Sequence, residues 1–216
     1  MKKKIAVVLA GCGVYDGAEI HEATLTLLAI DQQGADYQCF APDVEQTHVI
    51  NHLTGEEMPE SRNVLVESAR IARGNIRSLA AFRADDFDAI LFPGGFGAAK
   101  NLCDYAFKGT ACTVNPDVEK AVKDMASAHK PIGALCISPV LITRILGDVE
   151  VTIGNDRETA RTIEEMGGAH QVKSHGEVAV DSRHKVVTTP CYMLDATIGQ
   201  IYEGASQVVK TILSLT

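Results

Sequence analysis

Cys136 ends the run Pro131-Ile132-Gly133-Ala134-Leu135 and is followed by Ile137-Ser138-Pro139. The residues before it read as a short strand, and Pro139 suits the first turn of a helix. A residue between the two must turn sharply, so its backbone is strained and its side chain is pushed out at the tip. Such a turn needs small neighbours, which Ala134 and Ser138 supply on either side. A helix N-terminus beneath the sulfur favours thiolate over thiol. The chemistry on offer is nucleophilic attack by sulfur. The same spacing is equally compatible with a buried, inert cysteine.

Two further segments could complete a site. Pro93-Gly94-Gly95-Phe96-Gly97 follows an apolar run. Glycines after a strand let backbone N–H groups approach a ligand closely. Beside an elbow they predict an oxyanion hole built from the N–H groups of Gly95 and Ile137. Otherwise they form a tight turn. Gly17-Ala18-Glu19-Ile20-His21-Glu22 brings two carboxylates to the start of a helix. Glu19 and Glu22 share a face there. They either partner the helix dipole or, aimed at the sulfur, serve as acid or base. Cys12, Glu19, Gly94, Asn101 and Cys191 are further candidates for the pocket wall. His48 and His52 would share a helical face, but no third ligand lies at a convincing spacing, so no metal site is predicted. His175 is the leading stray imidazole. The glycine run lacks both GxGxxG and the P-loop lysine, so no cofactor is predicted.

The elements that must position these residues alternate. Strands are predicted at 5–10, 37–41, 87–92, 131–135 and 150–153, and a hairpin at 177–180 and 185–189. Helices are predicted at 19–33, 63–72, 116–128, 138–146, 156–166 and 196–215, with an irregular loop at 43–60. That alternation predicts an α/β fold, a mostly parallel sheet with helices on both faces. Three loops then gather beyond the carboxyl ends of the strands: 11–22, 93–100 and the Cys136 turn.

Composition narrows the partners. A length of 216 residues favours one domain spanning 1–216. Acidic residues outnumber basic ones, 28 to 20, for a net charge of −8 and no basic stripe, which argues against nucleic acid. No stretch approaches the ~20 apolar residues of a membrane span. The apolar run after Lys2-Lys3-Lys4 is too short for a signal peptide. The six cysteines form no CxxC pair, so free thiols in a reducing cytoplasm are expected.

At the three loops the chain resembles the ThiJ/PfpI superfamily of class I glutamine amidotransferase-like fold, and more narrowly its ElbB-type isoprenoid-biosynthesis and glyoxalase family. Gly11-Cys12-Gly13-Val14-Tyr15-Asp16-Gly17, Asn51-His52-Leu53-Thr54-Gly55-Glu56, Pro93 through Leu102, and Thr188-Thr189-Pro190 carry the closer match. The resemblance implies a three-layer flavodoxin-like sandwich with a nucleophile elbow, and a homodimer. It places the family's nucleophile on Cys136, its glutamate on Glu22 rather than Glu19, and its glycine pair on Gly94 and Gly95. Two features depart from it. Ile137 stands where protease-like members have histidine, and the stretch 151–156 offers no imidazole. A downstream His-x-Glu is also missing, which puts peptidase and glutaminase activity in doubt.

The resemblance therefore implies cofactor-independent, glyoxalase-type turnover of a small aldehyde or 2-oxoaldehyde, glyoxal to glycolate. Cys136 would add to the aldehyde, Glu22 would move protons, and Gly95 and Ile137 would hold the oxyanion. The alternative is a non-catalytic protein, a thiol redox sensor or a binder of a metabolite or partner that influences isoprenoid metabolism.

Overall fold

Strands covered on both faces are built from unbroken apolar runs rich in β-branched residues. β1 (Lys4–Val8) carries such a run from Ile5 onward and lies inside the sheet in the computed structural model, which describes residues 2–216. There follow α1 (Ile20–Gln32), β2 (Asp36–Ala41), α2 (Val64–Ile71), β3 (Ile76–Ser78), β4 (Ala89–Phe92), α3 (Phe96–Lys100) and α4 (Tyr105–Lys108). Then come α5 (Pro116–Ser127), β5 (Ile132–Leu135), α6 (Pro139–Leu146), β6 (Glu150–Val151), α7 (Arg157–Glu165) and β7 (Ala169–His170). β8 (Ala179–Asp181), β9 (Val186–Thr189) and α8 (Ile198–Ser214) close the chain.

Local signals set the helix starts. Glu19, Asn63, Asn115 and Asp156 cap α1, α2, α5 and α7, each side chain accepting an N–H of the first turn. Thr197 and Gln200 form a capping box at α8.

The main sheet has seven strands in the order β3-β2-β1-β4-β5-β9-β8. Neighbours run parallel except β8, which is antiparallel to β9 as the predicted hairpin requires. Strand order reverses between β1 and β4, so right-handed crossovers send α1 and α5 to opposite faces. α8 packs against α1, and α6 against α5. This is the predicted three-layer flavodoxin-like sandwich. Gly133 on β5 lets α8 lie close, since a Cβ there would come within 2.4 Å of Ile212 Cδ1.

The structure differs from expectation in three places. β3 is an edge strand of three partly exposed residues, too short and too polar to announce itself. The strand expected at 150–153 shrinks to β6, which pairs with β7 in a separate two-stranded sheet. Beyond it, the Thr152 N–H donates to Thr188 Oγ1 at 2.8 Å instead of to a ladder partner. The glycine loop after β4 runs on into two short helices, α3 and α4, where none is expected.

Candidate active site

The switch point between β1 and β4 gathers the loops after β1, β4 and β5. Cys136 follows β5 directly and has φ of 61°, in the left-handed region. For a residue with a Cβ this conformation costs roughly 1–3 kcal/mol. Hydrogen bonds on both sides hold it. The Cys136 N–H donates to Thr189 O at 3.0 Å, and Ser138 Oγ donates to Pro93 O at 2.8 Å. The elbow is therefore as expected, but the side chain is not thrust into solvent. Cys136 is 7% exposed and forms part of the wall of a cavity of about 380 Å³.

Glu22 lies behind the sulfur, wholly buried. Its Oε2 accepts the Gly94 N–H at 3.0 Å and its Oε1 accepts the Tyr192 N–H at 3.1 Å. The Cys136 sulfur lies near enough to this carboxyl that each perturbs the other's proton. Only a glycine fits at position 94. A Cβ there would stand 2.3 Å from Cys136 Cβ, 2.6 Å from Glu22 Oε2 and 3.0 Å from Cys136 Sγ.

Burial controls the protons of this pair. Desolvation pushes the Glu22 carboxyl up to about 8, against the pull of the Tyr192 and Gly94 amides and the thiol, with the Glu19 charge adding to the push. Desolvation first, and then the Glu22 charge, push the Cys136 thiol well above its ordinary value, although the Gly95 and Ile137 N–H groups oppose this. This corrects the thiolate expected from the helix N-terminus. α6 begins with Pro139, which has no N–H to offer, and the dipole is outweighed by burial and by Glu22. Gly95 and Ile137 both line the cavity beside Cys136.

The other candidates divide. Glu19 lines the cavity, and its Oε2 also accepts the Glu22 N–H at 2.7 Å. Gly94 lies beneath the pair. Asn101 does not reach the cavity. Its Nδ2 donates to Ala10 O and Asp16 O, both at 2.9 Å, and its Oδ1 accepts the Thr47 N–H, so it ties loops together. Cys12 is not a cavity wall either. It faces Glu67 and Arg70, and burial raises its thiol. Cys191 is near enough to feel the Glu22 and Cys136 charges, but its sulfur turns towards Gly204 in α8. No histidine is among the residues that line the cavity, His175 included. His52 accepts the Tyr15 N–H through Nε2, and His48 meets the Phe107 ring edge-on. Among the described residues no three His, Cys, Asp or Glu side chains gather as metal ligands.

Residues the sequence did not single out complete the cavity. Tyr192 holds Glu22 through its N–H, lines the mouth, and bonds His21 Nδ1 through its hydroxyl at 2.8 Å. Tyr105, Asp156 and Thr159 come from α4 and the start of α7. The only available signal for Tyr192 was its place just after Thr188-Thr189-Pro190-Cys191.

No protein-family model matches the chain. It is 48% identical over 225 residues to the mitochondrial ES1 protein homolog of Rattus norvegicus, covering all of this chain and 85% of that one. It is 49% identical over 223 residues to the human mitochondrial glutamine amidotransferase-like class 1 domain-containing protein 3, covering 99% of this chain and 83% of that one. Among solved structures, an isoprenoid biosynthesis protein with amidotransferase-like domain from Ehrlichia chaffeensis superposes with a TM-score of 0.92 at 35% identity, over 99% of this chain and all of that one. Drosophila melanogaster DJ-1beta, at a TM-score of 0.59 and 15% identity, covering all of this chain and 96% of that one, shares the fold alone. The rat, human and Danio rerio relatives all carry "mitochondrial" in their names, which overturns the expectation of a cytoplasmic location.

Proposed function

Since the chain belongs to the family of ES1 proteins and glutamine amidotransferase-like class 1 domain-containing protein 3, with the ThiJ/PfpI fold, we propose that its Cys136–Glu22 pair turns over a small aldehyde or 2-oxoaldehyde without a cofactor, with glyoxal to glycolate as the model reaction. The observation that carries this reading is the missing side chain at Gly94, which lets a buried carboxyl and a thiol stand close enough to share a proton at the cavity wall.

The reactive form is the pair with one proton. Sulfur attacks the aldehyde carbon as its proton passes to Glu22, and a hemithioacetal anion forms. The N–H groups of Gly95 and Ile137 face the new oxyanion. Glu22 returns that proton to oxygen and then carries the hydrogen of the attacked carbon to its neighbour, giving a thioester. Water releases glycolate and restores the thiol, so the net change is addition of one water to glyoxal. Because the first proton leaves Glu22 near pH 8, the rate rises with pH towards that value.

The cavity favours a small, uncharged substrate. Its lining is mostly apolar, with Glu19 and Asp156 as its carboxylates and no cationic side chain. The upward push on the Cys136 thiol weighs against the redox-sensor reading, which needs a low-pKa sulfur. The test is glycolate formation from glyoxal by wild type and Cys136→Ala. The variant is expected to be inactive; an unchanged rate would sink the mechanism.

A further inference from the structure

A second pair of thiols lies one loop away from this site. Cys103 bridges Val114 in an isolated antiparallel pairing, which continues through the Asp104 N–H to Thr113 O at 3.1 Å. The pairing folds the chain back on itself around α4 and brings Cys112 beside Cys103. The two side chains are close enough to perturb each other, and Cys103 Sγ donates to Ala98 O at 3.3 Å. Both are free and buried. Cys112 nonetheless helps to line a separate cavity of about 290 Å³, shared with Thr113, Val114, Glu119, Arg144 and Ile145. The Arg144 Nε donates to Cys112 O at 2.7 Å, which fixes the guanidinium next to this cysteine.

We propose that Cys103 and Cys112 are a peroxide-responsive dithiol that closes to a disulfide at the edge of the candidate active site. Cys112 is the attacking sulfur and Cys103 the resolving one. The neighbouring Cys103 side chain, and then the Arg144 charge, pull the Cys112 thiol down against its burial, the reverse of what happens at Cys136. In the first step Cys112 sulfur attacks one oxygen of hydrogen peroxide. An S–O bond forms, the O–O bond breaks, and the departing hydroxide takes the thiol proton as water. In the second, Cys103 sulfur attacks Cys112 sulfur. An S–S bond forms, the S–O bond breaks, and hydroxide leaves with the Cys103 proton as a second water. The dithiol gives up two electrons and the peroxide is reduced.

The bond would close a small loop that carries α4. Tyr105 and Ala106 of that helix line the Cys136 cavity, so oxidation pins one of its walls. The inference does not depend on what Cys136 does.

The sequence offers a direct assay. Trypsin cuts after Lys100, Lys108 and Lys120, placing Cys103 in peptide 101–108 and Cys112 in peptide 109–120. The whole protein is treated with graded hydrogen peroxide, its remaining thiols are alkylated, and it is digested without reductant. The expected product is peptide 101–108 linked to 109–120, with a mass lower by two hydrogens than the sum of the two. It should appear while Cys136 can still be alkylated, and dithiothreitol should return the separate peptides. In Cys103→Ala, dimedone is expected to label Cys112. Oxidation of Cys136 or any other thiol at doses that leave 101–108 and 109–120 separate would overturn the proposal.

Discussion

Replacing Glu22 by glutamine keeps the shape of a buried side chain and removes its proton. Oε1 of glutamine can accept one of the N–H groups of Gly94 and Tyr192, but its NH₂ faces the other, which is left unpaired. An orphaned buried donor costs roughly 1–3 kcal/mol, independent of pH. The wild-type carboxyl has a different cost. The folded chain holds the Glu22 proton up to about pH 8, while the unfolded chain releases it near 4.5. Between those values the folded state binds more protons, so the stability Glu22 contributes at low pH is lost as pH rises. At about 1.36 kcal/mol per tenfold, the loss between pH 5 and pH 8 is roughly 3 kcal/mol. Glu22→Gln lacks this slope. Urea unfolding of both proteins at pH 5 and pH 8 should show the difference between them moving by roughly 3 kcal/mol in the variant's favour, even as glyoxal turnover is lost. A difference that stays within about 1 kcal/mol at the two pH values would refute the reasoning, because Glu22 would then titrate as an ordinary carboxyl.

Gly94→Ala should unfold at lower temperature, by about 1–3 kcal/mol of overpacking, and lose glycolate formation, since the added carbon collides with Cys136 Cβ and Glu22 Oε2. A wild-type melting curve with full activity would contradict the packing described. Tyr192→Phe removes the hydroxyl that bonds His21 but keeps the N–H that holds Glu22, so stability should change by less than about 0.5 kcal/mol and its pH dependence should persist. Loss of that pH dependence would show that the hydroxyl, not the amide, governs Glu22. Thr197→Ala deletes half of the α8 capping box and should cost about 1 kcal/mol in urea unfolding, with no effect on turnover.

Much of this site was legible in the chain because its geometry is local. The elbow follows from a strand, a small residue on each side of Cys136 and a proline, all within nine residues from Pro131 to Pro139. The glycine pair was legible as glycine, though the reason for Gly94 appears only when Cys136 and Glu22 stand against it. What escaped is what distant segments bring. Tyr192 and Asp156 reach the cavity from loops with no motif of their own, and Cys12 and Asn101 sit in recognisable motifs yet face elsewhere. The protonation of Cys136 was misjudged for a physical reason. A helix N-terminus can be read from a proline, but the extent of burial and the approach of a carboxyl cannot. β6 and β3 were shortened or missed because two- and three-residue strands carry too little pattern.

Glu22 is gripped by amides 72 and 170 residues further along the chain, and the Cys136 N–H is gripped by Thr189. A ribosome delivers these partners in order, and Tyr192 arrives last. Until β9 docks beside β5, a nascent chain has Glu22 hydrated and acidic, and Cys136 free of its strained turn. The proton-sharing pair is therefore a product of the final stage of folding. A protein stalled before its C-terminal strand would carry an ordinary glutamate and an ordinary cysteine.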